Sequence, residues 1–194
     1  MIRVGVTGGI GSGKSFVCAI FEQLGIPVYN ADSRAKWLVN NDPYIRKAII
    51  AAFGELSFTG NQYNTTYISG IVFNQPDQLA LLNSIIHPVV FADWAKFYTL
   101  HADAPIVIKE AAIMLETESK NTVDQIILVY APEDIRIKRV MERDGTSEDV
   151  IRKKLKSQMP EEDKLPLVQF VIYNDGSQSV IEQVRNIHRQ LLNQ

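Results

Sequence analysis

The sequence predicts an α/β fold: a parallel sheet flanked by helices, with a helical insertion beside it. Three observations carry that prediction. Ile2, Val4 and Val6 alternate as in a strand, a glycine-rich turn follows, and Val17, Ile20, Phe21 and Leu24 then recur at helical spacing. The runs 126–130 and 170–173 are nearly continuous in apolar residues, as strands covered on both faces are. Helical patterns separate the strand-like runs, and that alternation implies parallel strands joined by right-handed crossovers.

The remaining elements follow in order. Gly25 stops the first helix, and 26–29 forms a short second strand ending at Asn30, Ala31 and Asp32. From Ser33 to about His101 the pattern is mostly helical, with turn residues at 40–43 and at Thr59, Gly60 and Asn61. That stretch is too long for an ordinary loop and reads as a helical insertion beside the sheet. Strand character returns at 106–108. Segments 132–143 and 148–159 read as charged helices joined near Asp144 and Gly145, with Thr146 and Asp149 spaced as a capping box for the second. The last helix carries Val180, Val184, Ile187 and Leu191 on one face, with Ser179 and Glu182 near its start.

Composition excludes several classes. With 194 residues, 46% hydrophobic and 22% charged, the chain suits one domain with a lid or small insertion. A formal net charge of −2 argues against a broad nucleic-acid surface. Cys18 is the single cysteine, so no internal disulfide forms, and a reducing cytoplasm fits. Inside the first helical pattern it reads as a small buried apolar residue. No signal peptide and no membrane-length apolar run is recognisable. His101 and His188 lack partners at ligand spacing, which leaves no zinc site. Trp37 and Trp94 read as core or helix-packing residues.

Gly8, Gly9, Ile10, Gly11, Ser12, Gly13, Lys14 and Ser15 match G-x-x-x-x-G-K-[ST] at every fixed position. The glycines let successive N–H groups converge on one point, Lys14 reaches the β- and γ-phosphates, and Ser15 can ligate Mg²⁺. A strand before the loop and a helix after it put a positive helix end at the phosphates. Asp32 follows the second strand. Ligands of parallel sheets bind beyond the carboxyl ends of the strands, so Asp32 and the loop are expected to share one crevice. Asp32 fits a hydroxyl-orienting base, an N-cap of the helix beginning near Ser33, or both. Arg136, Arg139 and Arg143 fall on one face of a charged helix, as a lid closing on phosphates would place them, or as solvated surface. A guanine-reading Asn-Lys-x-Asp segment is missing.

Nearly end to end, the chain resembles the dephospho-CoA kinase family. The resemblance rests on the loop from Thr7 to Ser15, Ala31-Asp32, Phe53-Gly54, Val72-Phe73 before His87-Pro88, and Leu115-Glu116. It continues through Arg139 and Arg143, Gln158 and the Asn174-Asp175-Gly176 segment. Two positions depart from the family pattern. Thr65, Thr66 and Tyr67 offer no arginine before Val72-Phe73, and Ala112 stands where the family has a proline.

The resemblance implies a P-loop kinase-like fold, with a nucleotide-binding core at 1–32, 101–130 and 161–194. It implies an acceptor (CoA) binding insertion at 33–100 and a lid at 131–160. It further implies ATP and Mg²⁺ as cofactors and dephospho-CoA as the small-molecule substrate, with no nucleic acid, membrane or obligatory protein partner. By the same resemblance Gly9, Ile10, Gly11, Ser12, Gly13, Lys14, Ser15, Phe16, Arg139, Arg143 and Asn174 bind the nucleotide. Asp32, Lys14 and Arg139 act in catalysis, and Asp32 faces the ribose 3′-hydroxyl with His87 and Glu116 near the acceptor. On its own His87 reads as a structural histidine. The expected reaction is phosphorylation of that hydroxyl, giving CoA and ADP. A nucleoside or nucleotide kinase would share the core but differ in the insertion. A nucleotide-dependent regulatory module would turn over nucleotide without a phosphorylated acceptor.

Overall fold

A computed structural model of the chain describes residues 1–73 and 75–193. It divides into two compact units, residues 1–30 with 97–194 and residues 31–96.

The first unit is built on five parallel strands. β1 (Ile2–Thr7) lies at the centre, between β5 (Ile106–Glu110) and β6 (Gln125–Tyr130), with β2 (Val28–Asn30) outside β5 and β7 (Phe170–Tyr173) outside β6. β3 (Phe58–Thr59) and β4 (Gln62–Tyr63) belong to the second unit. The strands form where expected, except that β2 begins at Val28 and β5 runs two residues beyond its apolar stretch. α1 (Lys14–Gln23) and α9 (Val180–Leu192) pack on the sheet and on each other. Val17, Phe21, Val184 and Leu191 meet Val4, Val6, Ile127 and Ile172 there. Each such side chain contributes about 1.5–3 kcal/mol on burial, which fixes both ends of the loop between β1 and α1. Ser179 Oγ accepts the Glu182 N–H at 3.3 Å and caps α9.

α6 (Glu133–Asp144), α7 (Glu148–Leu155) and α8 (Glu161–Lys164) lie between β6 and β7. Ile137, Val140 and Ile151 form a small core, with Ile10 of the glycine loop packed against it. The expected second charged helix ends at Leu155, four residues short of Met159, and Pro160 precedes α8. The capping box is also replaced. Ser147 is the N-cap of α7 and makes no side-chain cap, while the Thr146 hydroxyl donates back to the Asp144 carbonyl.

The second unit comprises α2 (Ala31–Asn41), α3 (Pro43–Phe53), α4 (Thr65–Val72), α5 (Pro76–Leu100, most of which lies here) and the two-residue hairpin β3 (Phe58–Thr59)/β4 (Gln62–Tyr63). Asp42 caps α3 by accepting the N–H groups of Tyr44 (2.9 Å) and Ile45 (3.0 Å), and Pro43 occupies the first helical position. A cap of this type contributes about 1 kcal/mol. Leu38, Ile45, Ile49, Phe53, Phe58 and Ile68 make its core. Trp94 is buried, as expected. Trp37 is not: it is 52% exposed, and the Arg34 guanidinium lies 4.6 Å from its ring centroid.

Candidate active site at the glycine loop

Between β1 and α1 the chain turns through Gly8 to Gly13. Gly11 (φ 81°) and Gly13 (φ 96°) adopt left-handed backbone that side chains disfavour. Gly13 is the N-cap of α1. Among the described residues no side chain caps this helix and its first turn holds no acid, which leaves its positive end to an anion. Lys14 Nζ donates to the carbonyls of Gly8 (2.8 Å) and Gly9 (3.3 Å), so its charge is held over the loop. Asn174 braces the far side, donating from Nδ2 to the Ser12 carbonyl at 2.8 Å, while its own N–H donates to Tyr130. Ser12 is buried, and its Oγ has no partner among the described residues.

A cleft of about 200 Å³ opens here, lined by Gly13, Lys14, Ser15, Phe16, Arg139 and Arg143, among others. Arg139 is half-buried, and its Nη1 is shut off from solvent with no partner among the described residues. A guanidinium nitrogen kept dry and unpaired beside a glycine loop is a ready phosphate donor. Arg143 is exposed and bonded through Nε and Nη2 to Asp144. Arg136 does not join them on an open face. It is 6% exposed, and its Nε donates to the Ala131 carbonyl at 3.0 Å.

Glu110 went unrecognised in the sequence. The register pairs it with Val6, at the end of β1. Its Oε1 accepts from Ser15 Oγ at 3.1 Å and its Oε2 from Asn30 Nδ2 at 2.6 Å. Its signal was a carboxylate at the carboxyl end of the strand beside the loop. Among the described residues no cluster of three or more His, Cys, Asp or Glu could hold a metal. A hydroxyl and a carboxylate in contact are nevertheless hard oxygen donors of the kind Mg²⁺ takes, with phosphate and water completing its shell.

The other expected site residues have the following surroundings. Glu116 Oε1 accepts the Met159 N–H at 3.0 Å and lies 3.6 Å from Lys164 Nζ. Gln158 Oε1 accepts the Ile10 N–H at 3.1 Å. In the second unit, Asp32 is exposed in the first turn of α2, inside the helix rather than at its N-cap. His87 is half-buried on α5, its ring 5.9 Å from that of Phe91. Among the described residues no helix is long and apolar enough to cross a membrane.

The parallel sheet, the glycine loop and the basic cleft define a P-loop nucleotide-binding protein, and its relatives make it a kinase, an enzyme that uses ATP on a small-molecule substrate. Comparison with known proteins narrows the class. The profile of the dephospho-CoA kinase family matches residues 2–179. A dephospho-CoA kinase of Bacteroides fragilis (strain YCH46) is 38% identical over 183 residues, covering 94% of this chain and 89% of its own. A crystal structure from Thermus thermophilus matches with TM-score 0.85 and 30% identity, covering 99% of this chain and 96% of that one. The dephospho-CoA kinase structure from Campylobacter jejuni shares the fold with TM-score 0.70, at 24% identity and 98% and 97% coverage. The chain belongs to the dephospho-CoA kinase family.

Proposed function

We propose that the protein, acting in the cytoplasm, transfers the terminal phosphoryl group of ATP to the ribose 3′-hydroxyl of dephospho-CoA, yielding CoA and ADP. The observation that carries this reading is the loop cleft, where Lys14 and Ser15 stand opposite a buried, unpaired Arg139 nitrogen. Family membership supports the choice of acceptor.

The loop N–H groups from Gly11 to Phe16 and Lys14 hold the β- and γ-phosphates, Gly9 and Ile10 shape the start of the loop with their N–H groups on Glu161 and Gln158, and Asn174 keeps its far side in place through Ser12. Arg139 meets the charge that spreads over the transferring group, and Arg143 joins it after leaving Asp144. Ser15 and Glu110 would hold Mg²⁺, which would neutralise phosphate charge when bound. The 3′-hydroxyl oxygen forms the new bond to phosphorus while the bond to the β,γ-bridging oxygen breaks, and ADP leaves with that electron pair. Asp32 orients the hydroxyl and takes its proton late; its exposure in the first turn of α2 supports that role.

The segment 33–100, with His87, receives the acceptor, and 131–160 closes as a lid. Glu116 contributes through Met159 and Lys164, which it already contacts. Parallel assays of ADP release with dephospho-CoA, nucleosides and nucleoside monophosphates test the reading. Dephospho-CoA alone is expected to stimulate release strongly. Equal or greater stimulation by a nucleoside or its monophosphate would transfer the assignment to another kinase.

A further inference from the structure

Two N–H groups of the glycine loop are gripped by side chains from one short stretch of chain. Gly9 donates to Glu161 Oε1 at 2.9 Å and Ile10 to Gln158 Oε1 at 3.1 Å. Glu161 is 3% exposed and is anchored by Lys164, which is fully buried with Nζ 2.9 Å from Oε1. Lys164 in turn lies 3.6 Å from Glu116 Oε1. Arg136 closes the group from α6. A Cβ at residue 9 would fall 2.2 Å from Arg136 Nη1 and 2.9 Å from Glu161 Oε1. Residue 9 is therefore glycine because two buried charged groups press on its backbone.

Burying Arg136, Glu161 and Lys164 together, beside the half-buried Glu116, carries a desolvation cost that apolar residues of similar volume would avoid. What the carboxylate supplies instead is direction. It accepts a backbone N–H more strongly than a neutral group does, and Lys164 fixes where its oxygen stands. A phosphate-binding loop has to hold its amides convergent before the anion arrives, because ordering them during binding subtracts from affinity.

We propose that Glu161 is a positioning residue: acting through the Gly9 N–H, with Lys164 as its anchor, it holds the glycine loop in the conformation that receives the triphosphate. This rests on the reading that the loop binds ATP. The same contacts tie the order of segment 158–164 to that of the loop, so the lid proposed above is rooted at Arg136 on one side and Glu161 on the other.

Two double variants isolate the accepting oxygen. Glu161→Gln/Lys164→Met and Glu161→Leu/Lys164→Met both remove the buried ion pair and keep the volume filled. Only the first retains an acceptor for Gly9. Calorimetry with a non-hydrolysable ATP analogue is expected to give the Gln variant an affinity within about threefold of wild type. The Leu variant is expected to lose about tenfold or more. A purely structural pair predicts equal affinities in the two folded variants, and that result would overturn the proposal.

Amide exchange of wild-type Gly9 adds a reading that does not depend on either variant folding. The N–H is expected to be protected equally with and without the analogue. Protection that appears only on binding would also overturn the proposal. A wild-type chain that binds no analogue would remove the parent reading and this inference with it.

Discussion

Ser15 Oγ donates a hydrogen bond to Glu110 Oε1 at 3.1 Å, joining the first turn of α1 to the end of β5. The second carboxylate oxygen accepts from Asn30 Nδ2, so Glu110 ties three neighbouring segments at one end of the sheet. This follows from strand register, since β5 pairs Glu110 with Val6 just where β1 gives way to the loop. A carboxylate in that position can orient the serine hydroxyl toward a metal-bound triphosphate.

Glu110→Gln is therefore expected to raise the Mg²⁺ concentration needed for half-maximal nucleotide binding by roughly 10-fold or more. Nucleotide binding without Mg²⁺ should change little. A Mg²⁺ titration followed by a fluorescent ATP analogue reads both. An unchanged Mg²⁺ midpoint would remove Glu110 from the site.

Crowding at Gly11 predicts a contrast between two glycines of similar backbone. A Cβ on Gly11 (φ 81°) would lie 2.5 Å from the Arg136 carbonyl oxygen, whereas one on Gly60 (φ 60°) meets nothing within 4 Å. Both alanine substitutions incur the left-handed penalty, of about 1 kcal/mol. Only Gly11→Ala adds overpacking against backbone, for a total on the order of 3 kcal/mol. Urea unfolding of the two variants measures the difference, and equal losses would contradict the packing of α6 on the loop.

Removing the proposed base should separate chemistry from binding. Asp32→Asn is expected to slow turnover about 10²- to 10⁴-fold, with ATP affinity unchanged. Steady-state kinetics combined with direct nucleotide binding checks this. Unchanged turnover would exclude Asp32 from the mechanism.

Lys109 gives the fold a pH signature. It is fully buried in β5, Nζ donates to Thr122 Oγ1 at 2.9 Å, and burial lowers its pKa from 10.5 to about 8. A depressed ammonium pKa means that the folded chain binds this proton more weakly than the unfolded one does. The resulting loss of stability is complete below pH 8 and is relieved as pH rises toward 10.5. Lys109→Met is expected to gain on the order of 1–3 kcal/mol at pH 7, and less at pH 10. Denaturant unfolding at the two pH values tests this, and an equal gain at both would refute the assignment.

The strands of the sheet were legible because Val4, Val6, Ile127 and Val129 are buried on one face and Leu128 on the other, which leaves an apolar signal. Lys109 and Glu110 broke that signal. Both are buried, but a lysine and a glutamate look like the end of a strand, so β5 seemed to stop at Ile108 and Glu110 escaped notice. The hairpin at Phe58 to Tyr63 was read only as a turn, since two-residue strands are too short to show a period.

Helical spacing put Arg136, Arg139 and Arg143 on one face, yet spacing carries no information about depth. The side-chain-free glycines let α6 approach until Arg136 is buried against Gly9. Thr146 and Asp149 had capping-box spacing, but the helix began at Glu148 with Ser147 before it, a boundary shift of the size local signals leave open. The glycine loop itself was fully readable, because its residues are dictated by local backbone geometry.

The most direct measurement is mass spectrometry and phosphorus NMR of the product formed from ATP, Mg²⁺ and dephospho-CoA, with the wild-type chain and with Lys14→Ala. The wild type is expected to add one phosphate at the ribose 3′ position, and the variant to form little of that product at saturating ATP. ADP formed without a phosphorylated acceptor, a phosphate elsewhere on the acceptor, or a fully active Lys14→Ala chain would contradict phosphoryl transfer from the glycine loop.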